Sequence, residues 1–182
     1  MSGVPTIIHD HVPIYRVARA EWNDPLDTSF SGKQSNRWNA PDSHHVLYTS
    51  CSVAVAPAIV QDIFKLASLD LEDLSHGVRP TLAGIEWTGR PVDMASAAGL
   101  ESCGFSTSYP DGVEHHQTQP FARAWFEQGV EGVLCRSASM FRVGHRDWMA
   151  PHEPWSELAI FVDNSAVQPV LRSRRYDLDW LK

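Results

Sequence analysis

The sequence predicts an α+β fold in which strands outnumber helices. Three observations carry this prediction: short apolar runs that alternate as strands do, two longer apolar or amphipathic runs, and connections of both hairpin and helical length. The chain has 182 residues, of which 43% are hydrophobic. That is enough for one well-buried core and too little for two. We therefore expect a single domain over residues 1–182.

Four segments have the composition of strands in the first half of the chain or near its middle. The early ones are "PIYRVA" and "HHVLYTS". In the second of these, strand alternation places Val46 and Tyr48 on one face and Leu47 and Thr49 on the other. Farther along, "TLAGIEWTG" and "RPVDMAS" predict two more strands.

Two segments predict helices. After Ser52, a candidate N-cap, the run "VAVAPAIVQDIFKLASL" is apolar enough for a buried helix. Pro57 is tolerated only near its first turn, so this helix should begin near Ala56. The segment "QTQPFARAWFEQG" predicts an amphipathic helix with Pro120 in its first turn and Gly129 closing it. "VEGVLCRSAS" and "SELAIFVDN" then complete a β-rich second half.

Charge and cysteine usage exclude several classes of protein. A formal net charge of -7 argues against direct binding of nucleic acid, so an anionic ligand must be bound by a few placed arginines. The three cysteines, Cys51, Cys103 and Cys135, are widely spaced and form no CxxC pair. They predict neither a disulfide framework nor a zinc ribbon. No signal peptide or membrane span is indicated, so we expect a cytoplasmic protein without membrane contact.

Motifs of metal and nucleotide sites are absent from the sequence. The paired histidines His44-His45 and His115-His116 point to opposite sides within each pair. His9 and His11 would share a strand face, but no third ligand has matching spacing, so we expect no metal. The sequence contains no GxSxG elbow, P-loop or GxGxxG, and these three motifs mark hydrolases and nucleotide-binding folds. A hydrolase that uses a serine and one of the histidines therefore lacks support.

Two arginines and one serine are the candidate functional residues. Arg16 lies among apolar residues in "IYRVA", and Arg37 lies in "NRWN". A semi-buried guanidinium must be paired, and the ordinary partner is a carboxylate of the same chain. A phosphate-rich ligand with a flat ring is the alternative, because guanidinium forks bind phosphate and aromatic faces stack on bases. Ser137, after an apolar strand, either caps backbone groups or projects at the strand end.

These residues carry a resemblance to a known family. The chain resembles the RES domain family, named for its arginine, glutamate and serine, over residues 15–164, and the "RWN…VLY" block is its most specific part. The resemblance implies an ADP-ribosyltransferase-like core of mixed and antiparallel β-sheets with flanking helices. The matching segments are, in order, "YRVA", "RWNAPDSHHVLYTS", "LAGIEWTGRPVDM", "TQPFARAWFEQGVEGVLCRSAS" and "LAIFVD".

The resemblance also implies a function. RES domain proteins are toxins, commonly neutralised by a cognate antitoxin, that consume NAD by cleaving its nicotinamide-ribose bond or by transferring ADP-ribose. On the matching positions, Arg16 and Arg37 would bind the phosphates of NAD, Tyr48 would lie beside the nicotinamide ribose, and Ser137 would orient the cofactor. Tyr48 and Ser137 are thus the expected catalytic residues. A homodimer is compatible with this assignment.

One departure from the family pattern leads to two hypotheses for the function of the chain. The family's glutamate position falls on Ile59, and no glutamate occurs between Tyr48 and Glu72. Loss of nicotinamide leaves positive charge on the ribose, which a carboxylate stabilises. Asp62, three residues on, shares the helix face of Ile59 and is the nearest substitute. The chain is therefore either an NAD-cleaving enzyme slowed by the missing glutamate, or a catalytically altered RES-like module that binds a nucleotide or a protein partner.

Overall fold

The computed structural model describes residues 4–64, 74–145 and 155–181. Its seven strands are β1 (His9–Arg19), β2 (Val46–Ser50), β3 (Pro80–Gly89), β4 (Pro91–Met94), β5 (Gly132–Arg136), β6 (Ser156–Phe161) and β7 (Val170–Arg175). They form one sheet in the order β4-β5-β6-β2-β1-β3-β7. The pair β4 and β5 is parallel, and the other neighbours are antiparallel. The predicted α+β class is confirmed.

Five α-helices lie in the described ranges: α1 (Ser29–Gly32), α2 (Ala56–Phe64), α3 (Ala97–Ser102), α4 (His115–Glu127) and α5 (Ala138–Arg142). The predicted start of α2 at Ala56 is confirmed, while the predicted continuation "KLASL" lies outside the described residues. None of the described helices is long and apolar enough to cross a membrane.

The predicted position of Pro120 in the first turn of its helix is wrong. Helix α4 begins two residues earlier than predicted, because Gln117 Oε1 accepts a hydrogen bond from the Glu114 N–H at 2.7 Å and so fixes the first turn ahead of the proline. Pro120 lies in the second turn. Gly129 closes the helix as predicted, with a φ of 79° that side chains other than glycine rarely adopt.

The two faces of β2 bury different apolar clusters, as strand alternation predicts. Val46 packs with Trp38 and Trp125, whereas the adjacent Leu47 packs with Trp87 in a second cluster. The rings of Trp38 and Trp125 lie 6.0 Å apart and are almost fully buried. This packing fixes α4 against the turn that carries Arg37, and each such buried aromatic contributes about 1.5–3 kcal/mol.

Candidate functional site

A cleft of about 280 Å³ opens at the sheet where β1, β2 and β6 face α2 and α5. This volume lies just below the range typical of ligand pockets, roughly 300–1,000 Å³. Its walls combine aromatic and aliphatic side chains with an unusual concentration of ionisable ones. The ionisable lining residues, apart from tyrosines, are Arg16, Arg37, Asp62, His115, Arg142 and Glu157.

Arg16 is a buried cation at this cleft. Its side chain extends from β1, the residue is only 7% exposed, and its guanidinium lies 5.5 Å from the centroid of the Trp22 ring. Burial lowers its pKa to about 10, although the carboxylates of Asp27 and Asp24 act in the opposite direction. Arg16 therefore stays charged at neutral pH. Its Nη1 has no hydrogen-bond partner among the described residues, which leaves a buried donor available to a ligand.

Arg37 reaches the same cleft from the turn before β2. Its Nη1 donates to the carbonyl oxygen of Val113 at 3.2 Å, and its guanidinium lies 5.5 Å from the Tyr109 ring centroid. The Thr118 hydroxyl donates to its backbone carbonyl. Within the described ranges, neither Arg37 nor Arg16 forms a salt bridge with a carboxylate. The intramolecular ion pair considered for them thus finds no support there.

Tyr48 holds the turn that carries Arg37. Its hydroxyl accepts a hydrogen bond from the Trp38 N–H at 3.0 Å and donates to Asn39 Oδ1 at 2.8 Å. The Asn39 amide in turn donates to the Ser31 carbonyl at 2.9 Å. Burial raises the pKa of Tyr48 far above its ordinary value, so the phenol stays neutral. The segments "RWN" and "VLYT" occur together in the sequence because Tyr48, in the strand, fixes the turn that carries Arg37.

Ser137 lies beneath the cleft wall rather than on it. It follows β5, is fully buried, and caps α5 by accepting a hydrogen bond from the Met140 N–H at 3.1 Å. Its hydroxyl donates to Glu157 Oε1 at 2.5 Å. Glu157 and Ser139 line the cleft. Ser137 therefore acts on the site indirectly, through its hydrogen bond to Glu157.

Two carboxylates of the described ranges line the cleft, and their surroundings differ. Asp62 Oδ1 accepts from Arg142 Nε at 2.7 Å, while Oδ2 accepts from Arg142 Nη2 and from the Ser139 hydroxyl. In the described part of the chain, Glu157 accepts hydrogen bonds only from neutral donors: the Ser137 hydroxyl and, at 3.3 Å, the Ser139 N–H. Ile59 also lines the cleft, so its helix faces the site as the resemblance requires.

Sequence reasoning named Asp62 but missed Glu157, Ser139 and Arg142. A signal for Glu157 was present, because it is the one charged residue in the strand "SELAIF". Its position at the cleft depends on the pairing of β6 with β2, in which Glu157 lies opposite Ser50. That long-range register is not encoded in any local motif.

Comparison with known proteins identifies the family. The family model of the RES domain matches residues 13–180. The chain belongs to the RES domain family. A solved structure with the same fold is the crystal structure of the M. tuberculosis MbcT-MbcA toxin-antitoxin complex, with a TM-score of 0.71 and 19% sequence identity over 93% of this chain and 85% of that chain. No curated protein matches the sequence significantly.

A second, larger concavity of this RES domain lies elsewhere. It measures about 640 Å³ and is formed by residues 40–44 and one face of α4. Its charged side chains include Arg123 and Glu127, which pair with each other at 2.9 Å. From the residues that the structure describes, the smaller cleft brings together three arginines and two carboxylates, so we take the smaller cleft as the candidate site. No cluster of three or more metal-ligating side chains occurs in the described ranges.

Proposed function

We propose that this RES domain protein binds NAD in the cleft and cleaves its nicotinamide-ribose bond. The observation that carries the proposal is the unpartnered, buried Nη1 of Arg16 at a cleft that Arg37 also lines. A guanidinium fork matches the paired oxygens of a phosphate, and two of them suit a pyrophosphate. The net charge of -7 makes these placed cations the means of holding a polyanion.

The reaction needs positioning and charge stabilisation. When the bond between C1 of the ribose and the pyridinium nitrogen breaks, its electron pair goes to the nitrogen and nicotinamide leaves as a neutral molecule. The positive charge then spreads over C1 and the ring oxygen. An acceptor oxygen, from water, phosphate or a protein side chain, bonds to C1 and releases a proton. Arginines that hold the pyrophosphate position the ribose, and a carboxylate of the cleft stabilises the cation.

Tyr48 contributes to this chemistry by position. Its neutral hydroxyl is already engaged with Trp38 and Asn39, so proton transfer by the phenol is not part of the proposal. Its ring lines the cleft between the strand that bears Arg16 and the strand that bears Glu157. Tyr48 therefore orients Arg37 and bounds the ribose site.

The biological role that we propose is that of a toxin with a cognate antitoxin. Its support is the family together with a fold like that of MbcT-MbcA, a toxin-antitoxin complex. Inducible expression should slow growth of the host cell, and co-expression of the neighbouring gene should restore it. An Arg37→Ala variant expressed at the same level should be less toxic. Equal toxicity of the two proteins would contradict a role for the cleft.

Incubation with NAD tests the enzymatic proposal. Purified protein should release nicotinamide, measured by liquid chromatography, while calorimetry records NAD binding. Binding without release would favour the catalytically altered binding module, which the position of Ile59 at the cleft supports. If the protein neither binds NAD nor releases nicotinamide, the result contradicts NAD cleavage and leaves, of the alternative, only a module that binds a protein partner.

A further inference from the structure

We infer that Glu157 is the catalytic carboxylate of this cleft, an assignment that rests on the proposed cleavage of NAD. Among the described residues, the cleft offers two carboxylates as stabilisers of a ribose cation, Asp62 and Glu157. They differ in whether their negative charge is already neutralised. The hydrogen bonds around each decide between them.

Asp62 is already paired with a cation. Both of its oxygens accept from the Arg142 guanidinium, and one also accepts from the Ser139 hydroxyl at 3.0 Å. Such a bidentate pair neutralises the carboxylate and fixes it toward the arginine. A ribose cation near Asp62 would therefore also meet the positive charge of Arg142. Asp62 serves to hold α2 against α5.

Among the described residues, Glu157 accepts hydrogen bonds from neutral donors alone, and Arg142 acts on it only from a longer range. Glu157 forms no salt bridge with a described residue, and its two hydrogen-bond donors, the Ser137 hydroxyl and the Ser139 N–H, are both neutral. Both donate to Oε1, so Oε2 accepts no hydrogen bond from the described residues. Neutral donors orient a carboxylate without cancelling its charge. Glu157 is thus held in place and available to stabilise a developing cation.

The sheet register sets Glu157 apart from the phosphate-binding arginines. Glu157 on β6 lies opposite Ser50 on β2, and Ser50 lies opposite Tyr15, the residue before Arg16 on β1. Two strand spacings separate the backbones of Glu157 and Tyr15, roughly 10 Å. Strand alternation directs the Arg16 side chain to the opposite face of the sheet from Tyr15 and Glu157, yet both Arg16 and Glu157 line the cleft. They can therefore contact different parts of one NAD molecule. Arg16 would bind the pyrophosphate while Glu157 faces the nicotinamide ribose.

The relation of Ser137 to Glu157 gives the serine a defined role. Ser137 is a positioning residue: its hydroxyl holds Oε1 at 2.5 Å while its oxygen caps α5. The carboxylate function that Ile59 cannot supply is then provided from β6, on another wall of the same cleft. The slow cleavage expected from the sequence does not follow once Glu157 is included.

Glu157→Gln tests the assignment, because the amide keeps the size of the side chain and removes its charge. We expect kcat for nicotinamide release to fall by about 10²–10³-fold, with the dissociation constant of NAD within about threefold of native. Glu157→Asp, which keeps the charge on a shorter side chain, should retain more activity than the amide. Glu127→Gln on the exposed face of α4 is the matched control and should release nicotinamide at the native rate. Thermal melts establish that each variant is folded.

The outcomes separate this inference from the function on which it rests. If native protein releases nicotinamide and Glu157→Gln does so at the same rate, the assignment of Glu157 is overturned while NAD cleavage stands. The assignment also fails if Asp62→Asn loses more activity than Glu157→Gln. If native protein releases no nicotinamide, the proposed function itself fails. A folded Glu157→Gln that binds NAD yet releases almost no nicotinamide supports the inference.

Discussion

The hydroxyl of Tyr48 donates a hydrogen bond to Asn39 Oδ1 at 2.8 Å and so ties strand β2 to the turn that carries Arg37. The same hydroxyl accepts from the Trp38 N–H at 3.0 Å. Gln119 on α4 donates to the carbonyls of Asn36 and Asn39 at 2.8 and 3.2 Å, which holds the turn from the other side. The position of the Arg37 guanidinium is therefore set by β2 and α4 together.

Tyr48→Phe should destabilise the protein and weaken NAD binding. Removal of the hydroxyl leaves the Trp38 N–H without its partner and leaves Asn39 Oδ1 with only the longer bond from Asn36 Nδ2, at 3.3 Å. We expect this to cost about 1–3 kcal/mol of unfolding free energy. Urea denaturation measures this loss, and calorimetry measures NAD affinity. Tyr176→Phe, on an exposed tyrosine, is the control and should change neither. A Tyr48→Phe protein of native stability would show that the hydroxyl does not hold the turn.

Arg37→Lys should weaken NAD binding although the charge is kept, because an ammonium cannot reproduce the guanidinium fork. Loss of one charge-assisted hydrogen bond, about 1.5–3 kcal/mol, corresponds to a roughly tenfold to hundredfold rise in the dissociation constant. Isothermal titration calorimetry provides the measurement. Arg123→Lys on the exposed face of α4 is the matched control. Unchanged affinity in Arg37→Lys would remove Arg37 from the phosphate site.

Trp125→Ala should lower stability, because the side chain is 95% buried against Trp38. Truncation of a buried tryptophan costs about 3–5 kcal/mol, which lowers the melting temperature by roughly 10 °C in a chain of this length. Phe30→Ala, at a residue that is 61% exposed, should stay within about 0.5 kcal/mol of native. Loss of NAD binding by Trp125→Ala without loss of stability would contradict this structural role.

His44 should make stability fall in mildly acidic solution. Its ring stacks on Phe126 at 4.6 Å, its Nε2 lies 2.9 Å from the Trp38 carbonyl oxygen, and burial lowers its pKa below 6.5. The unfolded chain therefore takes up this proton first as the pH falls. The contribution of His44 to stability is intact above about pH 6.5 and decreases as the pH drops toward the lower folded pKa.

A comparison with His44→Gln isolates this effect, because an amide can donate to the same carbonyl without titrating. The free energy of unfolding, measured in urea at about pH 7.5 and about pH 5.5, should fall less in the variant than in the native protein. His115, whose pKa is also lowered by burial, titrates in both proteins and cancels in the comparison. Equal losses in the two proteins would show that His44 is not the responsible group.

The elements that sequence predicted well are those with strong local signals. Alternation in "HHVLYTS" fixed the two faces of β2, and Pro57 located the start of α2 at Ala56. Strand β7 was not predicted, because its residues are mostly exposed and no apolar alternation marks it. Helix α3 was not predicted, because a six-residue helix that begins at the Ser96 cap is too short to show a helical pattern of apolar residues. The order of strands in the sheet depends on long-range pairing that local patterns do not encode.

The residues of the candidate site divide in the same way, into those with a local sequence signal and those whose position depends on long-range pairing. Arg16 and Arg37 could be selected because each is a cation in an apolar or aromatic setting, and the structure places both at one cleft with Tyr48. The indirect position of Ser137 could not be predicted, because it depends on the pairing of β6 beside β5 in the sheet. Glu157 carried a local signal as the one charged residue of its strand, but its place at the cleft could not be predicted, because only the folded sheet brings it to residues more than a hundred positions away.

The most direct test of the central claim is a crystal structure of the protein with ADP-ribose or a non-cleavable NAD analogue. The account predicts that the pyrophosphate lies within hydrogen-bonding distance of the Arg16 and Arg37 guanidinium groups, with the nicotinamide-side ribose facing Glu157. A dinucleotide bound in the larger concavity against α4, with the two arginines free of phosphate, would contradict it.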